Sequence, residues 1–598
     1  MKLRSILAVI LAICMLCGAL VACNSSSSTT DTDAEPNTTV ADEPTNTVAP
    51  AESKTEESRE EKTETTTTQS GGEVEEDVAA GLPEAEPELT YAMYGGYEMT
   101  QYAEMAKEDY LAACKYYEEE GYTLWSSNVV GNALSSVYVN GDAYANVMYN
   151  GNKQELYLGE SESGASAFPE GGEDIDYFDE PTITQHYSDD INGMCYFIKL
   201  SDGSFIVVDG GYEADLDDAF KTLAKLNGSE YGIHIRAWII THSHGDHYEM
   251  FDCFSKKYAS RVTLDTVMFS PLDKVNAYQQ DVYLNGLVYT AADRFGAETC
   301  HVFTGMSFIY GDITLEFLAS PEHIYKTSDP QDFNETSVVF RIRNDEGSMI
   351  FLADCGEYVC DWIVDTYGEA LKSDMVQLAH HGCETATIAV YEMIAAETLF
   401  CPSSESLLNT TRGGETKQYY IEAESSKEFL YHGFGNITRP LSYKSEVEYV
   451  DITPDRKSIK SNDGVTNIRV EDGVIKYDIA NIDADPFIYI DYRKSGITTT
   501  AYNALKIVVG AGDAQSGTLF FSTHKEDVNR FSAEKRKYTS EQGVSNDDKT
   551  TIIVYLGDIP GYADEDGKLN SIRFDLGTEN GQTIEIYSIE IFKMEIDE

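Results

Sequence analysis

Seven residues, Thr241-His242-Ser243-His244-Gly245-Asp246-His247, follow directly on the apolar run 237–240 and place four candidate metal ligands within six positions. Imidazole nitrogens and carboxylate oxygens are ligands for divalent transition cations. Side chains packed so closely around a loop can diverge to two neighbouring cations, whereas a lone histidine would read as a satisfied polar residue. Two more groups lie at strand-like ends: Asp354 closes Phe351-Leu352-Ala353-Asp354, and His380-His381-Gly382 follows Val376-Gln377-Leu378-Ala379. Five of the eleven histidines fall in the first and last of these stretches, which scatter does not readily explain. From about Pro181 short apolar runs (205–208, 237–240, 349–352, 375–378) alternate with helical stretches, and each run ends in polar residues. That is the texture of a layered α/β fold, in which ligand sites gather at strand ends.

The chain has 598 residues, too many for one core, so several domains are expected. Its start, Met1-Lys2-Leu3-Arg4 followed by the apolar run 6–20 and Leu20-Val21-Ala22-Cys23, resembles a bacterial lipoprotein signal. The resemblance implies that residues 1–22 are removed, that Cys23 carries the lipid, and that the mature chain is tethered to the membrane outside the cytoplasm. The apolar run is short for a spanning helix. Residues 23–88 are rich in Ser, Thr, Glu, Asp and Pro and contain no aromatic residue, a composition that cannot offset the entropy of ordering. As a flexible linker they would span on the order of 45 Å. The formal charge of -60, from 103 acidic and 43 basic residues, repels long polyanions and argues against duplex nucleic acid as a partner. The cysteines beyond Cys23 follow no repeating spacing and read as buried thiols rather than a disulfide framework.

Residues 89–170 read as a small α+β domain. Tyr102, Ala106, Tyr110, Ala113 and Tyr117 share one helical face, with Gly121 just past its end. Asn140-Gly141 and Asn150-Gly151 then separate β-prone runs as hairpin turns. The tyrosines are explained by core and half-buried strand positions more readily than by a binding face. Residues 446–598 read as an all-β sandwich. Through Tyr502-Asn503-Ala504-Leu505-Lys506 and Ile572-Arg573-Phe574-Asp575 this segment resembles the jelly rolls of carbohydrate-binding type, which implies either glycan binding or, equally, a purely structural sandwich.

The segment 181–445 resembles the metallo-β-lactamase fold of metal-dependent hydrolases, an αββα sandwich. The resemblance rests on Phe205-Ile206-Val207-Val208-Asp209-Gly210-Gly211, the His242 to His247 motif, Asp354 and His380-His381-Gly382, in that order. Within the family, Leu378-Ala379-His380-His381-Gly382 and Asn334-Glu335-Thr336-Ser337 are most similar to the hydrolase domain of competence-type DNA-uptake proteins. The chain departs from that pattern at His244, Cys383 and Tyr248-Glu249-Met250. By the family's pattern His242 and His244 bind a first divalent cation, Asp246 and His247 a second, and Asp354 both. One of the late pair joins the second cation, and His380, directly after the strand end, is the expected ligand, with His381 orienting it or facing the substrate. His323, in Pro321-Glu322-His323, stands where the fold adds a middle histidine to the first cation, and Asp209 orients the ligand loop.

Zinc suits this mixed donor set, with manganese or iron as alternatives. Two such cations acidify a shared water into a nucleophile and polarise the scissile oxygen, with Asp246 and Asp354 neutralising charge and taking part in proton transfer. The implied function is a surface-anchored binuclear hydrolase of a small or envelope-associated phosphodiester. Lactone or β-lactam hydrolysis on the same fold is the alternative, and a non-catalytic binding lipoprotein or adhesin the reading from another class.

Overall fold

The structure is a computed structural model that describes residues 79–598 except 93–95, 170–178, 189–191, 272–278, 323–332, 384, 405–406, 408–426, 446, 499–500, 511–516, 524–530, 540–542, 546–548, 565–566, 595 and 597–598. The leader, Cys23, most of the linker and His323 therefore lie outside the described residues.

Two seven-stranded sheets form the centre of the molecule. In the first, the strands Glu298–His301, Val262–Phe269, Ile233–Ile240 and Phe205–Asp209 run parallel, and Cys195–Lys199, Thr182–Gln185 and Ile437–Pro440 extend the sheet antiparallel. In the second, Ser307–Tyr310, Ile313–Ala319, Val339–Arg343 and Ser348–Phe351 pair antiparallel, and Met375–Gln377, Thr398–Cys401 and Glu428–Tyr431 continue parallel. Parallel strands buried on both faces read as unbroken apolar runs, which is why 205–208 and 237–240 stand out in the sequence.

The inner faces meet in one core that includes Ile206, Val208, Ala237 and Ile239 from the first sheet and Phe317, Phe340, Ile342 and Phe351 from the second. The helices Leu216–Asn227, Gly245–Lys257 and Gln279–Phe295 accompany the first sheet. In Leu216–Asn227 the buried residues Leu216, Ala219, Phe220, Leu223 and Ala224 repeat at helical spacing, and Gly228, at φ 76°, ends the helix in a left-handed cap. They pack with Trp238, Phe251 and Phe254 into a second core on the outside of that sheet. The helix Glu357–Tyr367 contributes Val359, Cys360, Trp362 and Ile363 to the first core. The layers are α, β, β, α.

The N-terminal region is a six-stranded antiparallel sheet, Leu89–Ala92 to Glu155–Ser161, with the helix Lys107–Glu119 on one face. The helix begins later than the tyrosine spacing predicts, because Tyr102 closes the strand Glu98–Tyr102 and Ala106 is only the residue before the first turn. Both predicted hairpins are present, in register Asn140↔Ala143 and Asn150↔Glu155. The other face of this sheet does not stand apart from the central sandwich. Tyr97, Tyr144 and Phe303 stack on one another at centroid distances of 5.4 to 5.8 Å, Asn146 Nδ2 donates to the Thr304 carbonyl, and Asn150 Nδ2 donates to Thr366 Oγ1. Most of these tyrosines are core.

At the C-terminus a seven-stranded and a five-stranded antiparallel sheet form a sandwich. Its core, with Ile475, Tyr477, Leu505, Ile507, Phe521, Ile572, Phe574 and Ile586, is separate from the others. Among the described residues no helix is long and apolar enough to cross a membrane.

Candidate metal centre

Four loops at strand ends build the site, the motif loop after Ile233–Ile240 and three sharper turns. After Phe205–Asp209 the chain turns at Asp209, after Ser348–Phe351 at Ala353, and after Met375–Gln377 at His380 and His381; these four residues have φ of 51°, 50°, 48° and 58°. Left-handed backbone at residues other than glycine costs on the order of 1–3 kcal/mol each and persists where the surroundings over-determine it. Here the surroundings are hydrogen bonds from neighbouring loops.

Asp209 is fully buried and accepts three bonds, from Thr241 N–H (2.8 Å), Thr241 Oγ1 (2.7 Å) and His247 Nδ1 (2.7 Å). It thereby fixes the start of the motif loop and the ring of a candidate ligand. Gln377 does the same for the other sheet. Its Oε1 accepts from Ala353 N–H (2.6 Å) and its Nε2 donates to the carbonyls of Ala353 (3.1 Å) and Leu378 (2.5 Å). Ser337 Oγ accepts from Asp354 N–H at 3.1 Å. The carbonyl of Pro402, just beyond Thr398–Cys401, accepts from His381 Nδ1 at 3.0 Å and turns Nε2 toward the centre.

The predicted residues gather into two adjoining groups, His242 with His244 and Asp354, and Asp246 with His247 and His381; within each, ligand atoms lie within 4.8 Å of one another. Asp354 stands between them. Its Oδ2 is 3.2 Å from His247 Nε2, 3.5 Å from His381 Nε2, 3.8 Å from His242 Nε2 and 3.9 Å from His380 Nε2. His381 Nε2 also lies 3.2 Å from Asp246 Oδ2.

His380, favoured from its position next to the strand end, is in neither group. Its side chain is 28% exposed and pairs with Asn334 at 3.3 Å, whereas that of His381 is 2% exposed. Two successive left-handed residues reverse the chain here, so the ring that enters the centre is one residue later than a straight strand exit would give. His301, at the end of the strand Glu298–His301, is in neither group and bonds Tyr289 Oη at 2.8 Å.

The electrostatics are those of a carboxylate set among imidazoles. Burial works against the Asp354 anion, but the neighbouring charges of His247 and His381 outweigh it and hold its carboxyl well below the usual range. Burial also disfavours a charged His247, yet Asp354 and Asp209 lift it well above the usual histidine value. His242 is pushed well below that value, chiefly by burial. His247 Nε2, His381 Nε2 and Asp354 Oδ1 are buried without an aligned hydrogen-bond partner among the described residues. Buried polar atoms are normally satisfied, and both of these nitrogens lie within 3.5 Å of the Asp354 carboxylate. A divalent cation fits them, since nitrogen and carboxylate oxygen donors are its ligands and it would displace the protons that the imidazoles hold.

Residues 189–248 match the family model of the metallo-beta-lactamase superfamily, a stretch that holds Asp209 and the whole His242 to His247 motif. Together with the two facing sheets and their outer helices, this match identifies the central domain as a metallo-β-lactamase fold, and it carries a His/Asp centre suited to divalent metal. No curated protein sequence matches the chain. Among solved structures it is similar to CmlA, a diiron beta-hydroxylase from Streptomyces venezuelae, at 13% identity over 44% of this chain and 54% of CmlA, with a TM-score of 0.30. The chain thus spans about half of CmlA. It is also similar to Zn(2+)-bound PqqB from Methylobacterium extorquens (8% identity, 41% of this chain, 86% of PqqB, TM-score 0.25). A third similarity is to a xylan binding module, CBM86, from Roseburia intestinalis (16% identity, 25% of this chain, 97% of the module, TM-score 0.17). None of these likenesses bears on what this chain binds or does.

The residues missed from sequence are the supports: Gln377, Asn192 and the Pro402 carbonyl. Gln377 left a signal, a lone amide inside an apolar strand, where a buried polar group needs partners.

Proposed function

We propose that the chain is a binuclear metal-dependent hydrolase of small or envelope-associated phosphodiesters, held at the outer face of the cell membrane through Cys23. The observation that carries the reading is the pair of three-ligand groups on either side of Asp354. His242, His244 and Asp354 would hold one cation, and Asp246, His247 and His381 the other, with Asp354 reaching both. Bound there, the cations supply an activated water and Lewis acidity toward both the attacking and the leaving oxygen of an in-line displacement. The chain's own part is to orient. Asp209 and the Pro402 carbonyl hold the proton-bearing Nδ1 of His247 and His381, which leaves each Nε2 as the donor toward the cation. His380, 28% exposed beside Asn334, would meet a substrate oxygen.

Turnover of bis(p-nitrophenyl) phosphate by zinc- or manganese-loaded protein tests the substrate class, with a lactone and a cephalosporin in parallel. The reading expects phosphodiester cleavage, reduced at least 100-fold in Asp246→Ala by analogy with loss of other central catalytic groups. Opening of the lactone or cephalosporin alone, dependent on Asp246, would replace it. The anchor has its own test: Cys23→Ala should move the protein from the membrane fraction to the soluble one, and an unchanged distribution puts the anchor elsewhere.

The C-terminal sandwich supports a second binding role, attachment to glycan. On its five-stranded sheet Tyr489, Arg573 and Phe520 stand opposite one another in register, none of them in the sandwich core, and the Arg573 guanidinium lies 5.0 Å from the Phe520 ring centroid. Aromatic faces stack on sugar rings, and guanidinium and carboxylate groups hydrogen-bond their hydroxyls. Retention on insoluble xylan or cell-wall glycan should be lost in Tyr489→Ala with Phe520→Ala; equal retention of the variant and the wild type would assign this face no such role.

A further inference from the structure

Two of the three ligand candidates in the second group are braced by buried partners, His247 by Asp209 and His381 by the Pro402 carbonyl. Asp246 occupies the first turn of the helix Gly245–Lys257 with 18% of its side chain exposed, and from the opposite sheet His381 Nε2 approaches it at 3.2 Å. Its brace comes from the segment that enters the strand Cys195–Lys199. Asn192 Nδ2 donates to Asp246 Oδ2 at 2.6 Å, and two residues on Met194 N–H donates to the Asp246 carbonyl at 3.0 Å. One segment therefore grips both the carboxylate and the main chain of the same residue.

The orientation of the Asn192 amide follows from chemistry. An ionised carboxylate only accepts, so the NH2 end must face Asp246, and the Oδ1 end then accepts from Tyr212 Oη at 3.5 Å. The backbone of Asn192 is in turn bridged to Ser403, the neighbour of the residue whose carbonyl orients His381. The supports of Asp246 and His381 thus meet at one buried point, 402–403.

We infer that Asn192 is a positioning residue for the second cation: its amide fixes the rotation of the Asp246 carboxylate so that this group, His247 and His381 converge on one ion. The inference rests on the metal-dependent reading above. A hydrogen bond to a charged acceptor is roughly twice as strong as one between neutral groups, and the neutral amide adds no charge that would compete with the cation. The same Oδ2 already lies 3.2 Å from His381 Nε2, so without the amide that contact alone orients the carboxylate and two ligand atoms hold each other rather than a cation.

The test uses the full chain loaded with zinc, equilibrated against graded chelator and assayed by elemental analysis. Cobalt-loaded protein gives the ligand-field absorption of each site as a second readout. Asn192→Ala removes the donor, Asn192→Leu removes it while keeping the volume, and thermal unfolding shows that each variant is folded. The expected result is that both variants keep the first cation at the wild-type chelator concentration and release the second at 10- to 100-fold lower chelator, as loss of other groups that orient metal ligands does. A folded variant that holds both cations as tightly as wild type, with an unchanged cobalt spectrum, overturns the inference and leaves the hydrolase reading standing. Wild-type protein that takes up no cation overturns that reading, and this inference with it.

Discussion

Asp209 carries more of the centre than its place outside the ligand set suggests. It is buried, holds a left-handed backbone, and satisfies three donors, two of them on Thr241 and one on His247. Removing one partner of a buried charged pair leaves the other uncompensated, and such losses run to about 3–5 kcal/mol. Asp209→Ala should therefore lower stability by about that much, seen as a lower urea midpoint in metal-free protein, and should weaken the second cation through the unbraced His247. An unchanged midpoint would mean that Thr241 and His247 find other acceptors. From sequence, Asp209 was legible as an orienting residue and the motif histidines as a cluster, because residue type and spacing alone carry that information. The choice between His380 and His381 was not legible. It depends on two φ angles near 50° that bury one ring and leave the other at the rim, and no local propensity announces two such residues in succession.

At the scale of elements, the centre depends on how closely the helix Gly245–Lys257 lies on the Asp209 turn. A β-carbon on Gly210 would stand 3.0 Å from Met250 Cε, 3.1 Å from Met250 Cβ and 3.1 Å from the Phe251 nitrogen. The last of these is backbone and cannot swing aside, so the helix itself would have to move. Gly210→Ala should cost about 1–3 kcal/mol, as overpacking does elsewhere, and should loosen Asp246 and His247 together because both ride on the first turn of that helix. The check is thermal unfolding beside zinc stoichiometry; a variant with wild-type values for both would show that the helix can shift without cost. Four of the parallel-paired strands, Phe205–Asp209, Ile233–Ile240, Ser348–Phe351 and Met375–Gln377, were legible as apolar runs; Val262–Phe269, Glu298–His301, Thr398–Cys401 and Glu428–Tyr431 were not. The strand Thr123–Val130 was not, since its burial pattern is mostly intermediate or exposed and its polar residues break the alternation.

In the whole molecule, the -60 charge argues against long polyanions as substrates, while a small phosphodiester meets a centre whose cations would locally reverse that sign. The N-terminal sheet packs one face into the central core and the other against its own helix, and the C-terminal sandwich has a core of its own while Ala504, Ile553, Phe592 and Met594 join the central one. The reading of residues 89–170 as a small domain did not foresee that joint core. Tyr97, Tyr144 and Phe303 are far apart in sequence and meet only in the fold. Everything proposed for function passes through the two ligand groups, the first of which holds Asp354 with its Oδ2 3.2 and 3.5 Å from His247 and His381 of the second. The most direct measurement is the metal content of full-length protein purified without chelator and then offered zinc or manganese, alongside His244→Ala and His381→Ala. The account predicts about two ions per wild-type chain, with each variant losing one of them preferentially. Wild-type protein that holds no transition metal, or both variants retaining the full complement, would contradict it.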